Sequence, residues 1–140
     1  MHEVNRSGSD RLDISVRGKM DAAEAAVMVD SLLTQSEGIE NGRMLIDVED
    51  FALPALGAFK VEFSHLPELL RFSRQFSHAA VLADEDWIRA LSSIEGKLIP
   101  GLEIKAFRKD QRYQAETWLA QPRRDEQIAQ TRQPGADANR

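Results

Sequence analysis

Two groups of acidic residues are the positions at which this sequence could do chemistry. The first group, at the end of the apolar segment 44–48, consists of Asp47, Glu49 and Asp50. The second group follows the apolar segment 79–83 and consists of Asp84, Glu85 and Asp86. If the two segments are neighbouring parallel strands, both groups meet at the carboxyl edge of the sheet, where open α/β sheets bind ligands. Mg²⁺ favours a few such carboxylates. The candidate metal ligands are therefore Asp47, Asp50, Asp84 and Asp86.

Helix capping explains the same acidic residues without a metal. Asp and Glu are favoured at helix N-termini because the helix dipole attracts negative charge. We therefore predict no metal site and no cofactor. A small metal-assisted enzyme that uses the acidic edge remains the alternative.

Residues for other kinds of catalysis lack the partners that they would need. The chain has no cysteine, which excludes thiol nucleophiles, thiolate zinc sites and disulfides. His2, His65 and His78 do not have the spacing that brings two histidines to one face of a helix. Nucleophile-elbow, phosphate-loop and dinucleotide motifs are also missing. We therefore expect no catalytic residues and a protein that is not an enzyme.

Phenylalanine is concentrated in one part of the chain. Five of the six Phe residues lie between the apolar segments 44–48 and 79–83, which are the second and third predicted core strands, and this stretch also contains Pro54 and Pro67. Aromatic residues at helical spacing usually belong to the core. The functional alternative is an apolar cleft for a hydrophobic ligand. Under that hypothesis the lining residues are Phe51, Leu53, Leu56, Phe59, Phe63, Leu66, Leu70 and Trp87.

Length, charge and hydropathy limit the class of protein. A chain of 140 residues with 42% hydrophobic and 29% charged residues is typical of one globular domain. The net charge of −5 repels a phosphate backbone, so nucleic acid is not an expected partner. Neither a secretory signal nor an apolar stretch of about 18 residues is visible. We therefore expect a soluble, cytoplasmic protein.

Strand patterns recur along the chain. Alternation of apolar and polar residues predicts half-buried strands at 12–16 and 102–106, and continuous apolar runs predict buried strands at 44–48 and 79–83. A short segment around Val4 and the turn that follows it complete a hairpin with the first of these strands.

Helical segments separate the strands. Their predicted starts are Asp21 with Glu24 as a capping box, Pro54, Asp84 or Asp86, and Asp110. Pro67 is predicted to interrupt the second helix. The order predicts one α/β domain over residues 1–120, with a four- to five-stranded mixed, mostly parallel sheet flanked by about four helices. Residues 121–140 are predicted to be a disordered tail.

A series of short motifs resembles a known family. The motifs are Gly18-Lys-Met20, Leu45-Ile-Asp-Val-Glu-Asp50, Ala79-Ala-Val-Leu-Ala-Asp84 followed by Trp87, Phe107, and Ala115 with Trp118-Leu119. In this order they resemble the SpoIIAA-like, STAS-related family of small bacterial proteins. The resemblance implies a mixed sheet with flanking helices, similar to anti-sigma-factor antagonists and, more distantly, to CRAL-TRIO lipid-carrier domains.

The chain departs from the family pattern at two places. Anti-sigma-factor antagonists carry a phosphorylatable Ser after the middle strand, whereas residues 47–54 of this chain contain neither Ser nor Thr. His78 occupies a position before the third core strand where this branch tends to carry a basic residue. We therefore expect a non-enzymatic STAS-like binding or regulatory module. It would carry a hydrophobic small molecule such as a lipid, or bind another protein, and a homodimer and peripheral membrane contact both stay open.

Overall fold

The computed structural model describes residues 1–50, 66–94 and 101–122, which form an α/β domain with a mixed five-stranded sheet. The strands are β1 (His2–Ser7), β2 (Arg11–Arg17), β3 (Gly42–Glu49), β4 (Phe76–Ala83) and β5 (Glu103–Arg108). The α-helices are α1 (Ala22–Gln35), α2 (Leu66–Ser73), α3 (Glu85–Ile94) and α4 (Arg112–Leu119), and α4 follows a 3₁₀ turn over Lys109–Gln111. This agrees with the fold class that the sequence predicts.

The strands follow one another in space in the order of the chain. β1 and β2 form the predicted antiparallel hairpin, and the pairs β2–β3, β3–β4 and β4–β5 are parallel. One irregularity interrupts the register, because Gly42 pairs with Phe76 and Arg43 pairs with His78, which leaves Ser77 as an extra residue in β4. Gly42 is required here, since a Cβ atom at this position would overlap the side chain of Ile39.

The two faces of the sheet are covered differently. On one face, apolar side chains of β2, β3 and β4 pack against α1, α2 and α3; examples are Ile14, Met44 and Ala79. On the other face, Leu45, Ala80, Leu82 and Phe107 pack against Ala115 and Leu119 of α4. In the described part of the chain α4 is the helix that covers this second face. Its position therefore decides which part of the face stays open.

The outer edge of β1 is capped by a side-chain amide. The Gln35 side chain accepts a hydrogen bond from the Arg6 backbone N–H (3.1 Å) and donates one to the Val4 carbonyl (2.6 Å). A free strand edge would offer these two groups to another chain. Gln35 therefore occupies the position that a residue of a further strand would take.

Two arginine side chains attach α4 to the sheet. Arg11, the first residue of β2, forms a bidentate pair with Glu116 of α4, with both N–O distances 2.8 Å. The Arg43 guanidinium of β3 donates hydrogen bonds to the carbonyls of Leu119 (2.6 Å) and Gln121 (3.0 Å) at the C-terminal end of α4. The last carbonyls of a helix have no partners within the helix and interact favourably with a cation. The two arginines therefore fix α4 at its middle and at its end.

Two local predictions were wrong, those for His78 and Asp110. Pro67 is the second residue of α2, where its missing N–H has no intrahelical role, and the interruption predicted at Pro67 stays a prediction because it involves residues outside those described. His78 lies inside β4, because this strand begins three residues earlier than the apolar run. Asp110 does not cap α4 but lies in the preceding 3₁₀ turn, where its carboxylate accepts a hydrogen bond from Arg108 Nε at 3.3 Å. The first part of the predicted second helix, from Pro54, lies outside the described residues.

The Arg11–Glu116 pair predicts how stability depends on pH. The hydrogen bonds from Arg11 hold the pKa of Glu116 below its usual range. A depressed carboxyl pKa gives stability that is present near neutral pH and is lost as the pH falls through the folded-state pKa. Because the Glu116 side chain is 41% exposed, we expect Glu116→Gln to reduce the free energy of unfolding at pH 7 by only about 1 kcal/mol.

Urea unfolding of the wild type and Glu116→Gln from pH 7 to pH 3 checks this prediction. The difference between the two proteins should begin to shrink as the pH falls below about 4.3, where the unfolded-state carboxylate is protonated, and it should be lost below the lower folded-state pKa, where the carboxylate is protonated in both states. Glu3→Gln, at an exposed position of β1, is the matched control and should differ little from the wild type at any pH. A Glu116→Gln difference that stays constant down to pH 3 would show that the ion pair is not its cause.

Candidate functional site

The acidic residues at the carboxyl edge do not converge on one site. Asp47 faces the α4 side of the sheet, where its carboxylate pairs with Lys109 and lies 3.8 Å from Arg112. Asp84 lies at the start of α3, on the opposite face, and accepts a hydrogen bond from the Trp87 backbone N–H (3.1 Å). It therefore has the capping role that the sequence also predicted.

The remaining two candidate metal ligands also lie apart from a common centre. Asp86 pairs with Arg89 on the surface of α3 (2.9 Å), and Asp50 follows β3 with a left-handed backbone (φ 49°). Residues 1–50, 66–94 and 101–122 contain no group of three or more His, Asp or Glu side chains that could hold a metal ion. The described residues therefore provide no support for the metal-assisted alternative.

The predicted apolar lining lies mostly outside the described residues. This is the case for Phe51, Leu53, Leu56, Phe59 and Phe63. Leu66 is the first residue of α2, and Leu70 in the same helix is 44% exposed. Trp87 of α3 packs against a buried cluster that contains Val16, Val48 and Val81 from three strands. Leu70 and Trp87 therefore lie on different helices, and the lipid pocket stays a prediction.

A Ser-His pair is present in the structure but is buried. Ser77 Oγ and His78 Nδ1 are 2.8 Å apart, and His78 Nε2 is 3.9 Å from a carboxylate oxygen of Glu103. Only 2% of Ser77 and 1% of His78 is exposed, and Trp118 packs edge-on against the imidazole at 4.8 Å between ring centres. Ser77 also contacts Arg43. Because a substrate could not reach this pair, its role is to hold β3, β4 and α4 together.

A large cleft lies at the amino edge of the sheet, opposite the edge that the sequence indicated. It has a volume of about 830 Å³ and lies between the loop that follows α1 and the C-terminal end of α2. Gly38, Ile39, Glu40 and Asn41 precede β3 along one side. The other side is the segment Arg71, Phe72, Arg74 and Gln75, which precedes β4, and Leu33 and Glu37 complete the lining. We refer to this site as the amino-edge cleft.

The two sides of the amino-edge cleft are tied together by Gln75. Its side-chain amide donates hydrogen bonds to the carbonyls of Ser36 (2.7 Å) and Ile39 (3.3 Å), and its backbone carbonyl accepts one from the Gly42 N–H (2.8 Å). Arg43 also donates to the carbonyl of Asn41 at 2.6 Å. The loop before β3 is therefore held by hydrogen bonds without any ligand, which makes the cleft a preformed site.

The cleft combines an apolar floor with charged walls. Ile39 is 1% and Phe72 8% exposed, so these two side chains form a floor that belongs to the main core cluster. Four charged residues line the walls: Glu37 and Glu40 on the loop, Arg71 at the end of α2 and Arg74 directly after it. Within the described ranges, none of these four takes part in an ion pair. Their charges are therefore available to a ligand.

Comparison with known proteins agrees with this architecture. The model of the SpoIIAA-like family matches residues 11–120, and the chain belongs to this family. The chain is similar to an uncharacterised protein with a SpoIIAA-like fold from Shewanella loihica, whose crystal structure matches with a TM-score of 0.60 and 23% sequence identity over 86% of this chain and 93% of that one. At this identity the similarity shows the fold. No curated protein matches the chain.

Sequence reasoning missed the amino-edge cleft because it looked for ligands at the carboxyl edge. Some of the signal was present in the sequence, since Arg71 and Arg74 are three residues apart near the end of a predicted helical segment. Glu37 and Glu40 follow the predicted end of α1 with the same spacing. What the sequence could not show is that the two pairs line one cleft.

The hydrogen bonds of Gln75 predict the effect of its removal. We expect Gln75→Ala to lower the free energy of unfolding by about 1–2 kcal/mol, because two carbonyls of the loop lose their donor. Amide hydrogen exchange in residues 36–41 should become faster than in the wild type, while exchange in β4 should change only with global stability. Gln114→Ala, at an exposed position of α4, is the control for loss of a glutamine side chain. Unchanged protection of residues 36–41 would contradict this role of Gln75.

Proposed function

We propose that this protein is a non-enzymatic binding module that recognises a partner protein through the amino-edge cleft. The observation that supports the proposal is the cleft itself: a preformed site of about 830 Å³ with an apolar floor and with charged walls that form no ion pair among the described residues. The acidic carboxyl edge, by comparison, is occupied by caps and ion pairs.

The composition of the cleft favours a protein over a lipid. Burying Glu40 or Arg74 beneath an acyl chain would remove its charge from water without a partner, which is costly. A peptide can place an apolar side chain on the floor and its own polar groups on the walls. The carrier function therefore depends on the Phe-rich segment outside the described residues, and we favour the interaction function.

The proposed module would act in the cytoplasm. Its lack of cysteine suits a reducing compartment, and no helix among the described residues is long and apolar enough to cross a membrane. Binding of a partner in the amino-edge cleft would not be switched by phosphorylation of residues 47–54, because these residues have no hydroxyl side chain to modify.

Selection from a library of displayed random peptides tests this function with the full chain. We expect enrichment of peptides that bind in the micromolar range, as weak, transient interactions do. Because the chain has no cysteine, Glu40→Cys can be labelled specifically with a bulky maleimide on one wall of the cleft. Labelling should weaken binding of the enriched peptides at least about tenfold relative to the unlabelled variant, since the label fills the cleft.

Lys19→Cys carrying the same label is the matched control, because Lys19 is an exposed residue after β2 at the other edge of the sheet. Its peptide binding should not change on labelling. Two results would contradict the proposed function: no enrichment of any peptide, or enriched peptides that bind labelled Glu40→Cys as well as they bind the unlabelled protein. Binding of a fluorescent fatty acid that the cleft label blocks would favour the carrier function instead.

A further inference from the structure

We infer that the partner of the amino-edge cleft is a peptide segment of mixed charge, with an apolar side chain between an acidic group and a basic group. The acidic group would face Arg71 and Arg74, and the basic group would face Glu37 and Glu40. This inference rests on the proposed function and specifies the chemistry of the ligand that the cleft selects.

The sign of each wall follows from the elements that build it. Arg71 lies in the last turn of α2 and Arg74 directly follows this helix, so both residues belong to the same wall of the cleft. Glu37 and Glu40 lie in the loop between α1 and β3, on either side of the buried residue Ile39. One wall therefore carries two positive charges and the other two negative charges.

The walls do not neutralise each other across the cleft. No ion pair joins Glu37 or Glu40 to Arg71 or Arg74 within the described ranges, although all four residues line the same volume. A ligand of one sign would be attracted by one wall and repelled by the other. A ligand that carries both signs in the matching order is attracted by both, and this complementarity gives specificity and orientation.

The floor between the walls requires an apolar group. Ile39 and Phe72 are packed into the core cluster and line the cleft, and Leu33 of α1 adds a half-buried apolar side chain beside them. A free zwitterion without an apolar part would leave this floor in contact with water. A leucine-sized side chain between the two charges would cover it and gain the free energy of burying apolar surface.

Calorimetry with three synthetic peptides tests the inference on the full chain. The mixed-charge probe is acetyl-Glu-Glu-Ala-Leu-Ala-Arg-Arg-amide; in the acidic probe Gln replaces both Arg residues, and in the basic probe Gln replaces both Glu residues. The wild type should bind the mixed-charge probe about tenfold more tightly than either of the others, because each of them loses the ion pairs of one wall. Raising the salt concentration from about 0.05 M to 0.5 M should remove most of this preference.

Charge reversal should exchange the preferred probe. Arg71→Glu with Arg74→Glu makes both walls acidic, so this variant should prefer the basic probe. Glu37→Lys with Glu40→Lys makes both walls basic, so this variant should prefer the acidic probe. Lys19→Glu reverses one exposed charge at the opposite edge and should keep the wild-type order of probe affinities.

Thermal unfolding of each variant checks that it is folded. Arg71→Gln with Arg74→Gln serves as a milder variant, which should bind the mixed-charge probe more weakly without preferring another probe.

Three outcomes would overturn the inference: equal affinity of the wild type for all three probes, no binding of the mixed-charge probe, or an order of preference that charge reversal does not change.

The proposed function fails separately. If displayed peptides bind in the cleft and are blocked by the Glu40→Cys label, but do not share the mixed-charge pattern, the function stands and the inference about its ligand is wrong. If sedimentation shows that the walls bind a second copy of this chain instead of the probes, both the peptide class and the inferred partner are wrong.

Discussion

The guanidinium of Arg43 is the group on which the arrangement of the described residues depends most. It donates hydrogen bonds to the end of α4 through Leu119 and Gln121, to the loop before β3 through Asn41, and to the hydroxyl of Ser77. A helix end needs partners for its last carbonyls, and a planar cation with five donors can serve several at once. One side chain thereby joins the helix that covers the second face of the sheet to the loop that forms one wall of the cleft.

The same physical solution recurs along the amino edge. Gln35 binds the free backbone groups of β1, and Gln75 binds the carbonyls of Ser36 and Ile39. Backbone polar groups that are withdrawn from water need such partners, and side-chain amides supply them without a net charge. Because the loop is held in this way, a ligand of the amino-edge cleft would not have to order it. Pre-organisation of this kind reduces the entropy cost of binding.

The order of elements could be predicted from the sequence, but the location of the site could not. Alternation and apolar runs identified the strands, and the capping residue Asp21 was correct, since its carboxylate accepts a hydrogen bond from the Glu24 N–H. Ser77 and His78 were not placed in β4, because polar residues that form a buried network do not follow the apolar pattern of a strand. The amino-edge cleft was missed for a related reason. It depends on the Gln75 side chain reaching the carbonyls of Ser36 and Ile39, more than 30 residues away in the chain, and periodicity contains no information on such contacts.

A titration followed by NMR tests the central claim, that ligands bind at the amino edge of this sheet. The full chain would be labelled with ¹⁵N and titrated with the acetyl-Glu-Glu-Ala-Leu-Ala-Arg-Arg-amide probe. The amide shifts should move in residues 37–41 and 71–75, which line the cleft, and they should stay in place around Asp47 and Asp84 at the carboxyl edge. Shifts that cluster at the carboxyl edge, or on the face covered by α4, would contradict the account.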